Sequence, residues 1–167
     1  MKTLMTAVIA FLLTGAIYAQ ETAVELEDVT VSAINDQFLR LVNDDYTPEV
    51  AKEVQLQAAM YDLFRNAQYR ISARPLTFAE FTCSNGSMYT NFNHDGKIVS
   101  CRERYKDVVL PLSIREMVFE DHDGWSLEKN QYQSFFKNDE LIKREYQVSL
   151  VRGKEKKTMT IDLKNEQ

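Results

Sequence analysis

The sequence is poor in the residues from which small proteins build chemistry. It carries two cysteines, two histidines, five glycines and one tryptophan among 167 residues. So few glycines leave no Gly-rich phosphate loop, and no G-x-S-x-G elbow is present to aim a nucleophilic serine. A basic stripe is also missing. Lysine and arginine total 20 against 25 aspartates and glutamates, for a net charge of −5. Nucleic-acid binding needs clustered cations that displace counterions, so this balance argues against it. The one lysine-rich stretch, residues 152–157 (RGKEKK), reads as a solvated turn.

Long apolar runs are absent except for residues 4–13 (LMTAVIAFLL), about half of the 20 or so residues that a membrane span requires. Lys2 precedes the run, Gly15 and Ala16 break it, and Ile17-Tyr18-Ala19 leads into Gln20. That order is the pattern of a secretory signal peptide with a small residue before the cut. The expectation is therefore that residues 1–19 are removed, that the remainder works in the periplasm or outside the cell, and that no membrane span survives cleavage. No cysteine lies near the cut, so lipid attachment there is not expected. What remains is long enough to bury a core without disulfide staples.

Residues 20–46 form an N-terminal arm, acidic and aperiodic over 21–28 (ETAVELED), with a short strand at 29–34. Thr47-Pro48 then supplies a capping hydroxyl and a proline at a first helical position. The helix runs to about residue 64, with Val50, Val54, Ala58 and Tyr61 on one face. A second helix opens at Pro111, where Ser113 and Glu116 fit a capping box. Its residues Ile114, Met117 and Val118 face inward, and 121–124 (DHDG) end it.

Strands fill the rest. Residues 69–105 read as a meander with hairpin turns at Asn85-Gly86 and Asp95-Gly96, and residues 125–163 repeat the scheme with turns near Asn138-Asp139 and Gly153-Lys154. The last turn pairs Val148 with Met159 and Tyr146 with Ile161. Tyr146, Val148, Leu150, Met159, Ile161 and Leu163 then share one face. The first two turns place Cys83 opposite Met88 and Cys101 opposite Thr90, on the outer strands of a three-strand meander. Two strand spacings exceed disulfide reach, so two free thiols are expected.

The expected fold is α+β: a degenerate repeat of helix plus antiparallel meander, its sheet covered on one face by two helices. The halves span 47–106 and 107–167. Residues 89–118 (YTNFNHDGKIVSCRERYKDVVLPLSIREMV), the later Gly124-Trp125 pair and 144–162 (REYQVSLVRGKEKKTMTID) resemble the PepSY-like family of small periplasmic proteins, which are related in fold to beta-lactamase-inhibitor proteins. The resemblance implies an exported, non-catalytic module that binds or restrains a protein or peptide partner in the envelope. It carries no catalytic residues and no cofactor.

Other constellations fall short of chemistry. Asn91, Asn93, Asp95, Gly96 and Ile98 occupy EF-hand positions, but Arg102 stands where the bidentate carboxylate belongs and no helices flank the loop. Asp121-His122-Asp123 offers three ligand types in a row, and adjacent residues at a helix exit diverge. A small secreted metal-dependent hydrolase built from scattered acidic residues and His122 is the alternative function. Asn85-Gly86-Ser87 matches a glycosylation sequon, which matters only in a eukaryotic host. Trp125 shares a face with Leu127 and Phe135 by parity, which suggests core packing.

Parity also suggests where a partner binds. With Asn138-Asp139 as the loop, Phe135 pairs with Ile142 on the helix-covered face. Phe136 then pairs with Leu141 on the other face, together with Tyr132 and Val151. Tyr132, Phe136 and Leu141 would form an exposed apolar patch, unless a β-bulge near Ser134 exchanges the two phenylalanines.

Overall fold

Hairpin chemistry builds most of the structure. The computed structural model describes residues 33–63 and 76–163, so the signal-peptide segment and the acidic stretch 21–28 lie outside the described residues. Strands β1 (Thr77–Cys83), β2 (Gly86–Phe92), β3 (Ile98–Lys106), β4 (Ser126–Lys137), β5 (Glu140–Arg152) and β6 (Glu155–Asp162) form one antiparallel sheet in chain order. Helices α1 (Asp36–Val42), α2 (Glu49–Ala59) and α3 (Leu112–Phe119) accompany them. The fold is α+β, and the order of a helix followed by three strands occurs twice.

The helices bury their apolar residues in the same cluster as one face of the sheet. Phe38 and Val42 of α1, Ala51, Val54 and Ala58 of α2, and Ile114 and Val118 of α3 join Met88, Phe92, Ile98, Tyr105, Tyr146 and Val148. Helix α1 is a correction to the expected arm. A 3-10 turn at Ala33–Asn35 runs into it, where a strand was expected to end, and residues 29–32 lie outside the described residues. Phe38 and Val42 sit four apart and are both buried, the spacing that puts two side chains on one helical face. The sheet is thus covered by three helices rather than two.

Both expected helix starts hold in place and differ in chemistry. Thr47 Oγ1 donates to the Val42 carbonyl at 2.8 Å, closing the end of α1, and the first turn of α2 has no side-chain cap. Ser113 donates to the Asp45 carbonyl at 2.8 Å, so it ties α3 to the α1–α2 connection instead of forming a capping box.

The last hairpin has the expected register, with Val148 opposite Met159 and Tyr146 opposite Ile161. Asn138 and Asp139 both take positive φ, 50° and 62°, as a type I′ turn requires. The first hairpin differs. Its loop is Ser84-Asn85, and Cys83 faces Gly86 rather than Met88. Space explains the shift: a Cβ on Gly86 would lie 2.0 Å from the Arg104 carbonyl oxygen. Glycine is therefore needed within the β2–β3 ladder, not in the turn. Cys101 does face Thr90, and both cysteines are free thiols, Cys83 half-buried and Cys101 buried.

Candidate interaction surface

The anticipated patch lies in the core. Tyr132 and Phe136 are both 0% exposed, and Leu141 is partly buried against the same cluster. The pairing of Phe136 with Leu141 is as expected. The face is not, and the cause is a register shift between Phe135 and Phe136. Phe135 pairs with Lys143, leaving Ile142 as the extra residue on β5. An inserted residue reverses the facing of everything beyond it. Leu141 and Phe136 therefore turn inward, where Phe38 meets the Phe136 ring edge-on at 5.0 Å. Phe135 turns outward. A second shift, between Leu127 and Lys129, pairs Leu127 with the buried Leu150, so Leu127 and Phe135 lie on opposite faces and Trp125 does not share a face with Phe135. It packs partly against the core, under the Arg152 guanidinium at 4.8 Å.

A polar layer interrupts the core beneath α2. The buried Glu103 accepts hydrogen bonds on Oε1 from Gln55 Nε2 and Ser134 Oγ, both at 2.6 Å. Burial pushes its carboxyl above the ordinary value, and the bonds from Ser134 and Gln55 and the charge of Arg144 only partly offset this. Arg144 is 2% exposed. It pairs with Asp44 and donates to the Val42 carbonyl at 3.0 Å. Glu103 Oε2, Thr90 Oγ1, Gln55 Oε1 and Arg144 Nε make no hydrogen bond. Glu103, Gln55, Ser134 and Arg144 are all buried.

His122 is engaged by the protein on both ring nitrogens. Nδ1 lies 2.7 Å from the Val118 carbonyl and Nε2 lies 2.6 Å from Lys157 Nζ. Asp121 and Asp123 beside it are exposed. Among the described residues no group of three or more His, Cys, Asp or Glu side chains converges as metal ligands. The loop resembling an EF-hand is a hairpin turn: Asn93 Oδ1 accepts from the amides of Asp95 and Lys97, at 3.0 and 2.9 Å.

The face of the sheet away from the helices has a distinct character. Alternation along β3 points Cys101, Glu103 and Tyr105 into the core and Arg102, Arg104 and Lys106 outward. Neighbouring strands extend this into rows. Tyr89, Arg102, Phe135 and Lys143 form one, and Ser87, Arg104, Gln133 and Glu145 the next. Arg102 covers the Phe135 ring at 5.0 Å, and Arg104 donates to Gln133 Oε1 at 3.3 Å. Phe78 and Tyr89 stack at 5.9 Å near the β1 edge, and they are 60% and 44% exposed. A shallow pocket of about 430 Å³ sits on this face, lined by Asn85, Ser87, Tyr89, Arg104, Lys106 and Gln133 among others. Arg102, Arg104 and Lys106 form no ion pair among the described residues.

Such a face can hold a partner by cation and aromatic contacts. Sequence reasoning passed over it: Arg102 figured only as the residue that breaks the EF-hand pattern, and Arg104 and Lys106 belonged to no motif. The signal was their alternation, which needed the neighbouring strands before it became a surface. No family model matches the chain, and neither a curated protein nor a solved structure matches it.

Proposed function

We propose that this chain is an exported, non-catalytic PepSY-like module of the cell envelope that binds or restrains a protein or peptide partner through the open face of its sheet. The observation that carries this reading is the contrast between the two faces. One is covered by three helices, and the other presents a stacked Phe78–Tyr89 pair beside arginines that form no ion pair among the described residues. Exposed aromatics and arginine are the residues that anchor protein interfaces. The twofold order of helix and three strands supports the family reading, and the pattern of residues 1–19 supports export.

Two measurements test it. A photo-crosslinking residue at Gln131, on the open face, is expected to capture a protein in the native host, whereas one at the exposed Leu56 on α2 is not. Equal capture at both positions, or none at Gln131, sinks the binding reading. Mass analysis of the protein recovered from the host tests export: a chain starting at Gln20 is expected, and an uncleaved chain in the membrane fraction overturns it.

A further inference from the structure

The binding reading leaves the chemistry of the partner open, and the spacing on β3 narrows it. Arg102, Arg104 and Lys106 project from alternate residues of one strand, so neighbouring cations are about 6.6 Å apart along it. An extended peptide repeats its side chains at the same interval, so carboxylates at alternate positions would meet these cations in register. Around the three lie Asn85, Ser87, Gln131 and Gln133, donors and acceptors suited to a peptide backbone.

The open face is not uniformly cationic. Lys143 is already paired with Glu145 at 2.9 Å, and Glu145 also accepts from the Gln133 amide. Arg102, Arg104 and Lys106, which form no ion pair among the described residues, therefore make a strip on β3, bordered by Tyr89 on one side and by Gln131 and Gln133 on the other.

From this we infer that the open face takes an acidic peptide segment in extended form, lying along β3, with alternate Glu or Asp side chains on Arg102, Arg104 and Lys106. The inference rests on the proposed binding role and specifies its ligand. Nucleic acid fits less well for two reasons. Three cations release few counterions, so phosphate contacts alone give weak binding. The aromatic faces that would stack bases are also partly used, Phe135 by Arg102 and Tyr89 by Phe78.

The test uses the purified protein and a synthetic peptide with glutamate at alternate positions between threonine and valine, followed by titration calorimetry. Its control replaces every glutamate by glutamine. The acidic peptide is expected to bind, the control is not, and raising salt is expected to weaken the complex. The double variant Arg104→Gln/Lys106→Gln, whose side chains are solvent-exposed and whose melting temperature serves as a folding check, is expected to lose about tenfold in affinity. Equal binding by the double variant, or by the glutamine peptide, overturns the assignment. A sulfated polysaccharide or a single-stranded oligonucleotide that binds tighter than the peptide, and is lost in the same variant, also overturns it. Failure of the acidic peptide while Gln131 still crosslinks a partner sinks this inference alone. Failure of both sinks the binding role as well.

Discussion

Asn35 and Ile98, 63 residues apart, are joined by a hydrogen bond from the Ile98 amide to Asn35 Oδ1 at 2.9 Å. The same amide side chain donates to the carbonyls of Ala59 and Gly96, at 3.2 and 3.1 Å. One buried side chain therefore ties together the approach to α1, the end of α2 and the β2–β3 turn.

Replacing Asn35 by alanine would leave an amide and two carbonyls without this partner. Each unsatisfied buried group costs on the order of 1–3 kcal/mol, and relaxation recovers part of the total. The expected destabilisation is about 3 kcal/mol by urea unfolding. A loss below about 0.5 kcal/mol, the scatter of surface changes, would show that Asn35 does not hold these elements.

Glu103 makes stability depend on pH. Its folded carboxyl is raised above the ordinary value of 4.5 by burial, so the native state binds this proton more tightly than the unfolded chain does. The stabilisation is complete below that ordinary value and is lost as pH rises through the raised one. Glu103→Gln keeps the shape without the titration. The stability of the wild type relative to this variant is therefore expected to fall as pH rises from about 4.5 and then level off. A difference that stays constant across the series would contradict the assignment.

The two thiols are expected to separate by reactivity. Cys101 is buried, and burial together with the nearby Glu103 pushes its thiol well up, so little thiolate forms. Cys83 is half-buried on the edge strand, its thiol 3.5 Å from the Gly86 carbonyl. Alkylation without reductant should label Cys83 in the native protein and Cys101 only after denaturation. A mass showing neither labelled in denaturant would mean that the two are bonded and that the β1–β2–β3 order is wrong.

Gly86→Ala tests the tightest approach in the sheet. The added methyl would meet the backbone of Arg104 and Tyr105, which cannot swing aside as a side chain can. A cost of about 1–3 kcal/mol, the range for overpacking, is expected. A neutral result would show that β2 and β3 can separate locally.

Much of the fold was legible because hairpin turns and alternation are local signals. The β5–β6 register followed from Gly153-Lys154 and the apolar face that it aligns. The same logic failed one hairpin earlier, where Ile142 is inserted with no glycine or proline to mark it. Val99 is another such insertion, on β3, where Asn91 pairs with Ser100 but Phe92 pairs with Ile98. Bulges of this kind are selected by packing between layers, here by the fit of Phe136 against Phe38, and a strand read alone does not contain that fit. Helix α1 was missed for a different reason. At seven residues it is too short to be stable by itself, and it exists because the sheet offers Phe38 and Val42 a place to bury. The arginine strip needed both corrections, since it becomes a surface only when Phe135 joins Tyr89 on the outside.

A sheet whose spatial order equals its chain order also has a kinetic consequence. Every strand pairs with a sequence neighbour, and four of the five ladders close across short turns, while β3 and β4 are joined by the longer connection that holds α3. Short loops cost the least entropy to close. Such contacts favour fast assembly. The Arg144–Asp44 pair is the opposite case, spanning 100 residues. It can form only after β5 has been placed and α1 has returned across the sheet. The natural sequence of events is that the hairpins zip first and the helical layer clamps last. In that order Arg144 waits exposed on a half-built sheet until Asp44 arrives.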